Sequence, residues 1–197
     1  MAIVINGSTN VIGGVAVGGL PDGIVDTDML AANAVTAAKA TGSAKGITMV
    51  DQWRITTSLS TSSSTLIYNW ERNDTQSTLI GAGMSTNAGN WTFPSTGLYY
   101  IEYGGDGYNN VATRYVGGSI DHSTNSGSNY AALVEAFNSS GQDDASYASF
   151  YMASFLDVTN VSTQRVRFIV SSENSITFNG HSSINRTYAT FIRLGDT

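Results

Sequence analysis

The chain has 197 residues, of which 41% are hydrophobic and only 12% charged, about half the ~25% typical of soluble domains. This length allows one or two small domains with a real core, and the abundance of Gly, Ser, Thr and Asn is typical of loop-rich β proteins. A net charge of −6 with dispersed Lys and Arg argues against nucleic acid, no apolar run predicts membrane insertion, and the lack of cysteine excludes disulfides and thiolate chemistry.

Residues 1–25 consist of short β-branched bursts separated by glycines, as in Ile3-Val4-Ile5 and Val15-Ala16-Val17. The β-branched residues favour strands, and the glycines keep those strands short. A segment with so little apolar surface cannot fold alone. We therefore expect either an extended arm that lies on another surface or a frayed terminus. No basic region precedes the first apolar residues, so we expect that the chain has no signal peptide. Synthesis in a cytosol is therefore expected.

Residues 26–40 predict a short helix, and residues 26–46 form a linker. Asp26 or Thr27 can cap it, Lys39 lies in its last turn, and Gly42 would end it. Its apolar stripe is narrow, with Leu30 as the one large member. Two interpretations remain open: a three-helix seam on a trimer axis, or an ordinary surface helix.

Residues 47–197 have an all-β pattern with Gly, Asn and Ser between short apolar segments, as expected of an antiparallel sandwich. Residues 58–65 are rich in Ser and Thr and predict a loop. The predicted strands cover residues 53–57, 65–68, 90–93, 98–103, 113–120, 130–137, 149–158, 164–170, 175–178 and 188–194.

The segment from Trp91 to Tyr103 is the most informative part of this domain. One aromatic strand runs into Pro94-Ser95-Thr96-Gly97 and a second aromatic strand follows. Gly97 suits a position with positive φ, and Pro94 can stand only where no ladder donor is needed. Alternation then predicts that Tyr99, Ile101 and Tyr103 face the core, while Leu98 and Tyr100 face the other way.

Two strands have apolar or aromatic residues on both faces, around Tyr151 and Phe155 and again over residues 188–192. One face should fill the sandwich, whereas the other would remain exposed in a monomer. By contrast, Arg165 and Arg167 alternate with apolar residues, as on a one-sided strand. We therefore predict an oligomer that closes around an aromatic axis.

The aromatic strand-turn-strand resembles that of complement-globular-head and tumour-necrosis-factor-like jelly rolls. Several further blocks, in the same order, resemble structural proteins of tailed bacteriophages, both their jelly-roll domains and the N-terminal attachment region of their fibres. These blocks are residues 2–7, 18–23, 34–36, 69–74, 80–84, 90–103 and 185–195.

The resemblance implies a mainly β protein: a trimeric, antiparallel jelly-roll sandwich preceded by a β-rich arm and a short helix. It implies a virion component, made in the host cytoplasm and carried on the capsid or tail. Residues 1–25 would anchor it to a phage capsid or tail protein, residues 26–46 would link, and residues 47–197 would form a knob. Because the chain has almost no shaft, a capsid decoration or short fibre is favoured. The anchoring residues would be Ile3, Val4, Ile5, Val15, Val17 and Leu20, and the trimer interface Leu30, Leu98, Tyr100, Tyr151 and Phe155.

Residues that could carry chemistry are few. His122 and His181 are predicted in separate polar loops without metal-ligand spacing. Nothing predicts a cofactor, and the carboxylates 135, 143, 144, 157 and 173 could form a glycosidase pair only if the fold brought two of them together. A non-enzymatic protein is therefore expected, with a glycan hydrolase as the least favoured alternative.

Two polar loops with tyrosines, residues 104–110 and 126–130, favour a second alternative, a tail-fibre adhesin that binds host-surface glycan. Tyrosine offers a rigid surface, and the neighbouring Asn, Asp and Gly offer adaptable hydrogen bonding. The candidate glycan-binding residues are Tyr108, Asn109 and Tyr130. Ordinary jelly-roll turns would have the same composition.

Overall fold

The computed structural model describes residues 4–6, 11–13, 35, 39, 46–109, 111–141 and 146–197. The chain divides into two compact units, Met1–Thr41 and Gly42–Thr197. In the first unit, β1 (Val4–Asn6) pairs antiparallel with β2 (Val11–Gly13). The predicted helix lies outside the described residues except at Val35 and Lys39, where the backbone forms a bend and a turn. The boundaries at residues 25 and 46 stay a prediction.

The second unit is built from two antiparallel sheets. Its strands are β3 (Met49–Ile55), β4 (Leu59–Thr61), β5 (Thr65–Leu66), β6 (Trp70–Arg72), β7 (Ser85–Asn87), β8 (Asn90–Thr92), β9 (Gly97–Asn109), β10 (Thr113–Ser123), β11 (Ala131–Ser140), β12 (Ser146–Val158), β13 (Arg165–Ser172), β14 (Ile176–Phe178) and β15 (Tyr188–Gly195). Sheet I has the order β4-β14-β9-β15-β3-β6, with β12 on the other edge of β9. Sheet II has the order β11-β10-β13-β8-β7, with β5 also on β13. The last strand, β15, therefore lies inside sheet I between β9 and β3.

Each strand predicted in residues 47–197 is present, and the differences concern short or polar segments. The Ser/Thr-rich residues 58–65 are not all loop, because β4 forms there against β14. Residues 104–109 also belong to a strand, since β12 pairs with β9 along its whole length. Strands β6 and β7 were not predicted, because none of their residues is buried and so no alternation of buried and exposed positions marks them.

The core fills the space between the sheets, as alternation predicted. Tyr99, Ile101 and Tyr103 are fully buried, and so are Val166, Phe168 and Val170 of β13. Arg165 and Arg167, which alternate with them, are only half-buried. Trp91 stands near the centre of the core. Its ring meets those of Trp53 and Trp70 edge-on, with centroid distances of 4.9 and 5.6 Å. Aromatic pairs in this geometry add to the stability gained from burial itself.

The Pro94–Gly97 segment links the two sheets, because β8 belongs to sheet II and β9 to sheet I. Gly97 has φ +131°, as its predicted role requires. A Cβ at this glycine would lie 2.3 Å from the carbonyl oxygen of Gly195. The segment is further fixed by Arg193, whose Nε donates to the carbonyl of Thr96 over 2.8 Å. This crossing therefore depends on the last strand for its shape.

We expect Gly97→Ala to destabilise the domain by about 2–4 kcal/mol, because it adds backbone strain and a clash with backbone atoms that cannot move aside. Urea unfolding would measure the change in the free energy of unfolding. Gly46→Ala is the matched control, because Gly46 also has positive φ (+68°) but no atom within 4 Å of its Cβ position. That control should cost only about 1–2 kcal/mol, and equal costs at the two sites would contradict the role of the crossing.

Candidate functional site

The side of sheet I that faces away from the core carries an aromatic surface. Because Tyr99, Ile101 and Tyr103 point inward, the residues between them on β9 point outward. Tyr100 has Phe155 of β12 on one side in the pairing register and Ile192 of β15 on the other. Four positions along β9 on the same side, Gly104 lies between Tyr151 and Tyr188 in the same way. We call Tyr100, Tyr151, Phe155, Tyr188 and Ile192 the outer aromatic face.

Direct contacts join the members of the outer aromatic face on β9 and β12. The rings of Tyr100 and Phe155 have centroids 5.6 Å apart, and the hydroxyls of Tyr100 and Tyr151 are 3.0 Å apart. This hydrogen bond is the main reason why the pKa of Tyr151 is raised to about 12. Phe155 is 62% exposed and Tyr151 56% exposed. Such large adjacent apolar groups on a soluble domain typically mark an interaction surface.

Glu102 adds a carboxylate to this surface, one row from Tyr100 along β9. Tyr188 has a pKa raised to about 12, first by burial and then by its hydrogen bond to Glu102. Gly104 makes room for the Tyr188 ring, whose nearest atom would lie 3.2 Å from a Cβ there. The Tyr188 ring and the Glu102 carboxylate therefore hold each other in place.

The aromatic character extends toward the far end of β9 and β12. Tyr108 and Tyr147 are direct neighbours in the register, and their ring centroids are 5.6 Å apart. Both side chains are exposed, Tyr147 at 64%. Tyr147 was not among the predicted interface residues, because the sequence pattern did not extend the strand back to Ser146.

Of the predicted trimer-interface residues, Leu98, Tyr100, Tyr151 and Phe155 lie on this same side of sheet I. Leu98 is half-buried and pairs with Asp157. Leu30 lies outside the described residues. The four residues therefore share one surface, although their role in a trimer stays a prediction.

The candidate glycan-binding residues do not come together. Tyr108 lies on the outer side of sheet I, and Asn109 is buried, with its amide donating to Thr113 over 2.7 Å and to the carbonyl of Val111. Tyr130 lies at the opposite end of β10, where its hydroxyl donates to Asn90 over 2.8 Å. Three residues from two ends of the fold cannot form one site within a single chain.

The predicted anchoring residues fall in the first unit. Val4 and Ile5 belong to β1, where Ile5 pairs with Ile12. Ile3, Val15, Val17 and Leu20 lie outside the described residues.

The histidines and carboxylates do not assemble a reactive cluster in the described ranges. His122 is in β10 rather than in the predicted loop, because the pairing with β13 continues to Ser123. Burial lowers the pKa of His122, and its ring nitrogen lies 3.3 Å from the amide of Gln164. His181 accepts a hydrogen bond from the backbone of Ser183. Residues 46–109, 111–141 and 146–197 contain no group of three His, Cys, Asp or Glu that could hold a metal ion.

The candidate carboxylates are dispersed. Glu173 pairs with Arg114 over 2.6 Å, and Asp157 accepts from the hydroxyl of Thr197. Asp143 and Asp144 lie outside the described residues. The part of the chain that the structure describes also contains no helix long and apolar enough to cross a membrane.

Comparison with known proteins identifies the fold. The sequence matches no protein-family profile, and no curated protein matches it. Among solved structures, murine APRIL at pH 5.0 superposes with a TM-score of 0.54 and 16% identity, over 74% of this chain and 98% of APRIL. The Eiger TNF of S. frugiperda superposes with a TM-score of 0.58 and 12% identity, over 77% of this chain and 95% of Eiger. Together with the two antiparallel sheets, these similarities identify a tumour-necrosis-factor-like jelly roll.

Proposed function

We propose that the protein is a non-enzymatic, homotrimeric structural component of a tailed-bacteriophage particle, either a capsid decoration or a short fibre. Residues 1–25 anchor it to a capsid or tail protein, residues 26–46 act as the spacer, and the jelly-roll knob projects from the virion surface. The phage origin is supported by the sequence blocks that resemble phage structural proteins. The proposed structural role requires no cofactor, no nucleic acid and no membrane insertion.

The outer aromatic face carries the self-association part of this proposal. Phe155 and Tyr151 of β12 are more than half exposed, and both contact Tyr100 of β9. Burying apolar surface stabilises an assembly by about 25 cal/mol per Å², so copies that cover this face gain free energy from each aromatic ring. The threefold arrangement is supported by the resemblance to trimeric jelly rolls.

Two other functions remain as alternatives on the same scaffold: a tail-fibre adhesin for host-surface glycan and a glycan hydrolase. A cryo-EM map of the particle separates decoration from adhesion, because copies on the head indicate a decoration and copies at the tail indicate an adhesin. For the hydrolase, unchanged polymer length after incubation with host-envelope polysaccharide would eliminate the activity.

Deletion of residues 1–25 is expected to leave a folded, oligomeric knob that no longer joins the particle. The reason is that the described residues 46–197 build a core of their own between sheets I and II. Particles assembled with the full chain or the truncated chain can be purified and compared by quantitative mass spectrometry. Incorporation of the truncated chain at the level of the full chain would mean that the arm is not the anchor.

A further inference from the structure

The outward side of sheet II contains a groove with a volume of about 500 Å³. Strands β10 and β13 form its floor, and β5 and β11 form its walls. The register places Ser119 between Ile169 of β13 and Glu135 of β11. The chain shifts register next to this point, between Ile120 and Asp121. A bulge of this kind bends a strand and re-aims its side chains.

The floor of the groove is polar and already ordered. Ser119 and Asp121 are each only 7% exposed, and the hydroxyl of Ser119 donates to Asp121 over 2.6 Å. Arg167 donates through Nε to the other oxygen of Asp121 over 3.0 Å. The guanidinium carbon of Arg167 lies 4.2 Å from the centre of the Tyr130 ring, which is itself held by Asn90. A ligand that binds here therefore meets polar groups whose positions are already fixed, which lowers the entropic cost of binding.

One acidic group on the wall is free to bind a ligand. Glu135 is exposed, and within the described residues its carboxylate has no hydrogen-bond or ion-pair partner. On the opposite side, the hydroxyls of Ser64 and Ser171 are 2.9 Å apart and can each make a further hydrogen bond. The groove thus presents hydroxyls on one side and an unpaired acceptor on the other.

An aromatic pair continues the groove at one end. Tyr115 and Phe137 meet edge-on with centroids 5.8 Å apart, and they line a depression of about 280 Å³. Gly117 lies between Phe137 and Ser171 in the register, and its lack of a side chain keeps the floor open, since a Cβ there would lie 2.8 Å from the Phe137 ring. Phe137 is 51% exposed, so the Phe137 ring is available to a ligand that lies in the groove.

The charges limit the chemistry of the ligand. Arg167 neutralises Asp121 over 2.9 Å, so Glu135 is left as the net charge of the groove. The whole chain has a net charge of −6, which further disfavours an anionic ligand. An uncharged, hydroxyl-rich ligand can bind to the serines, the carboxylate and the aromatic ring together. A small number of precisely placed polar groups beside an aromatic wall is typical of small-ligand sites.

We propose that the groove on sheet II binds a short neutral oligosaccharide, with Phe137 as the surface on which a sugar ring stacks and Glu135 as an acceptor for its hydroxyls. This site differs from the three candidate residues that the sequence suggested, except that Tyr130 positions Arg167 at its end. It does not require the outer aromatic face, which lies on the other sheet. The site supports the adhesin alternative and is independent of where the protein sits on a particle.

The test is binding of the full chain to a glycan microarray that carries both neutral and sialylated or uronic-acid glycans. We expect signals on neutral glycans only. Phe137→Ala and Glu135→Gln should each weaken the apparent affinity for the bound glycans by roughly tenfold. Tyr68→Ala is the matched control, because Tyr68 is 67% exposed and lies outside the groove and the outer aromatic face.

Three results would overturn the proposal: no glycan bound by the unsubstituted chain, binding confined to acidic glycans, or affinities unchanged in Phe137→Ala and Glu135→Gln. Thermal unfolding and light scattering of each variant would verify that fold and oligomeric mass are retained. A failure of self-association appears in those light-scattering data, so the failure of the proposed trimer and the failure of the groove are distinguishable.

Discussion

Phe155→Glu is expected to convert the protein from an oligomer to a monomer. The new carboxylate would lie within the outer aromatic face, one row from Glu102 and against the ring of Tyr100. If copies cover this face, each subunit would bury an unpaired charge, which costs several kcal/mol. The apparent dissociation constant should therefore rise by more than about a hundredfold, the equivalent of about 2.8 kcal/mol.

Mass measured by light scattering at micromolar concentration is the test of this expectation. Tyr68→Glu is the control, since Tyr68 is equally exposed but lies off the face, and its oligomeric mass should not change. A monomeric mass for the unsubstituted chain would refute the homotrimer directly. An unchanged mass for Phe155→Glu would show that the copies associate through another surface.

Trp91→Ala is expected to have the largest effect on stability, a loss of about 3–5 kcal/mol in the free energy of unfolding. Trp91 is fully buried between the sheets, and its ring also contacts Phe168 and Phe191, with centroid distances of 5.8 and 5.1 Å. Removing the indole leaves a cavity that residues from both sheets line, and strands held by backbone pairing cannot collapse into it. A small domain with a typical stability of about 5–15 kcal/mol would lose a large part of it.

Urea unfolding followed by circular dichroism gives the free energy, because fluorescence would change with the loss of the tryptophan itself. Trp91→Phe should recover about half of the loss, since it retains one ring of the cluster. Tyr68→Ala should stay within about 0.5 kcal/mol of the parent. Equal unfolding midpoints for Trp91→Ala and Tyr68→Ala would mean that the aromatic cluster is not central to the stability of the core.

The sequence predicted those parts of the fold in which burial has a period of two. Tyr99, Ile101 and Tyr103 alternate with outward residues, and a strand buried on one side leaves that pattern in the chain itself. Strands β4, β6 and β7 leave no such pattern, because none of their residues is buried, whereas the equally short β8 and β14 each bury at least one.

The candidate sites also differ in how far the sequence alone could predict them. Tyr151 and Phe155 were identified because they stand on one strand with an apolar opposite face. The groove could not be predicted, because Glu135, Asp121 and Arg167 come from three strands and meet only through the register of β10 with β11 and β13. Asn109 illustrates the opposite error: its polar neighbours suggested an exposed loop, whereas hydrogen bonds to Thr113 and Ser140 place its side chain inside the fold.

The position of β15 inside sheet I affects how the domain can fold. The hydrogen bond from Gln52 to Thr190 joins residues 138 positions apart, and β3 cannot be paired on this side until β15 is available. Contacts between such distant segments make folding slow, because a long loop must close before any contact forms. During synthesis on a ribosome, the edges of β9 and β3 that pair with β15 would stay unpaired until β15 emerges. A chain that is cut short before Tyr188 would therefore expose two strand edges to other chains, and we expect such products to aggregate rather than form a smaller folded knob.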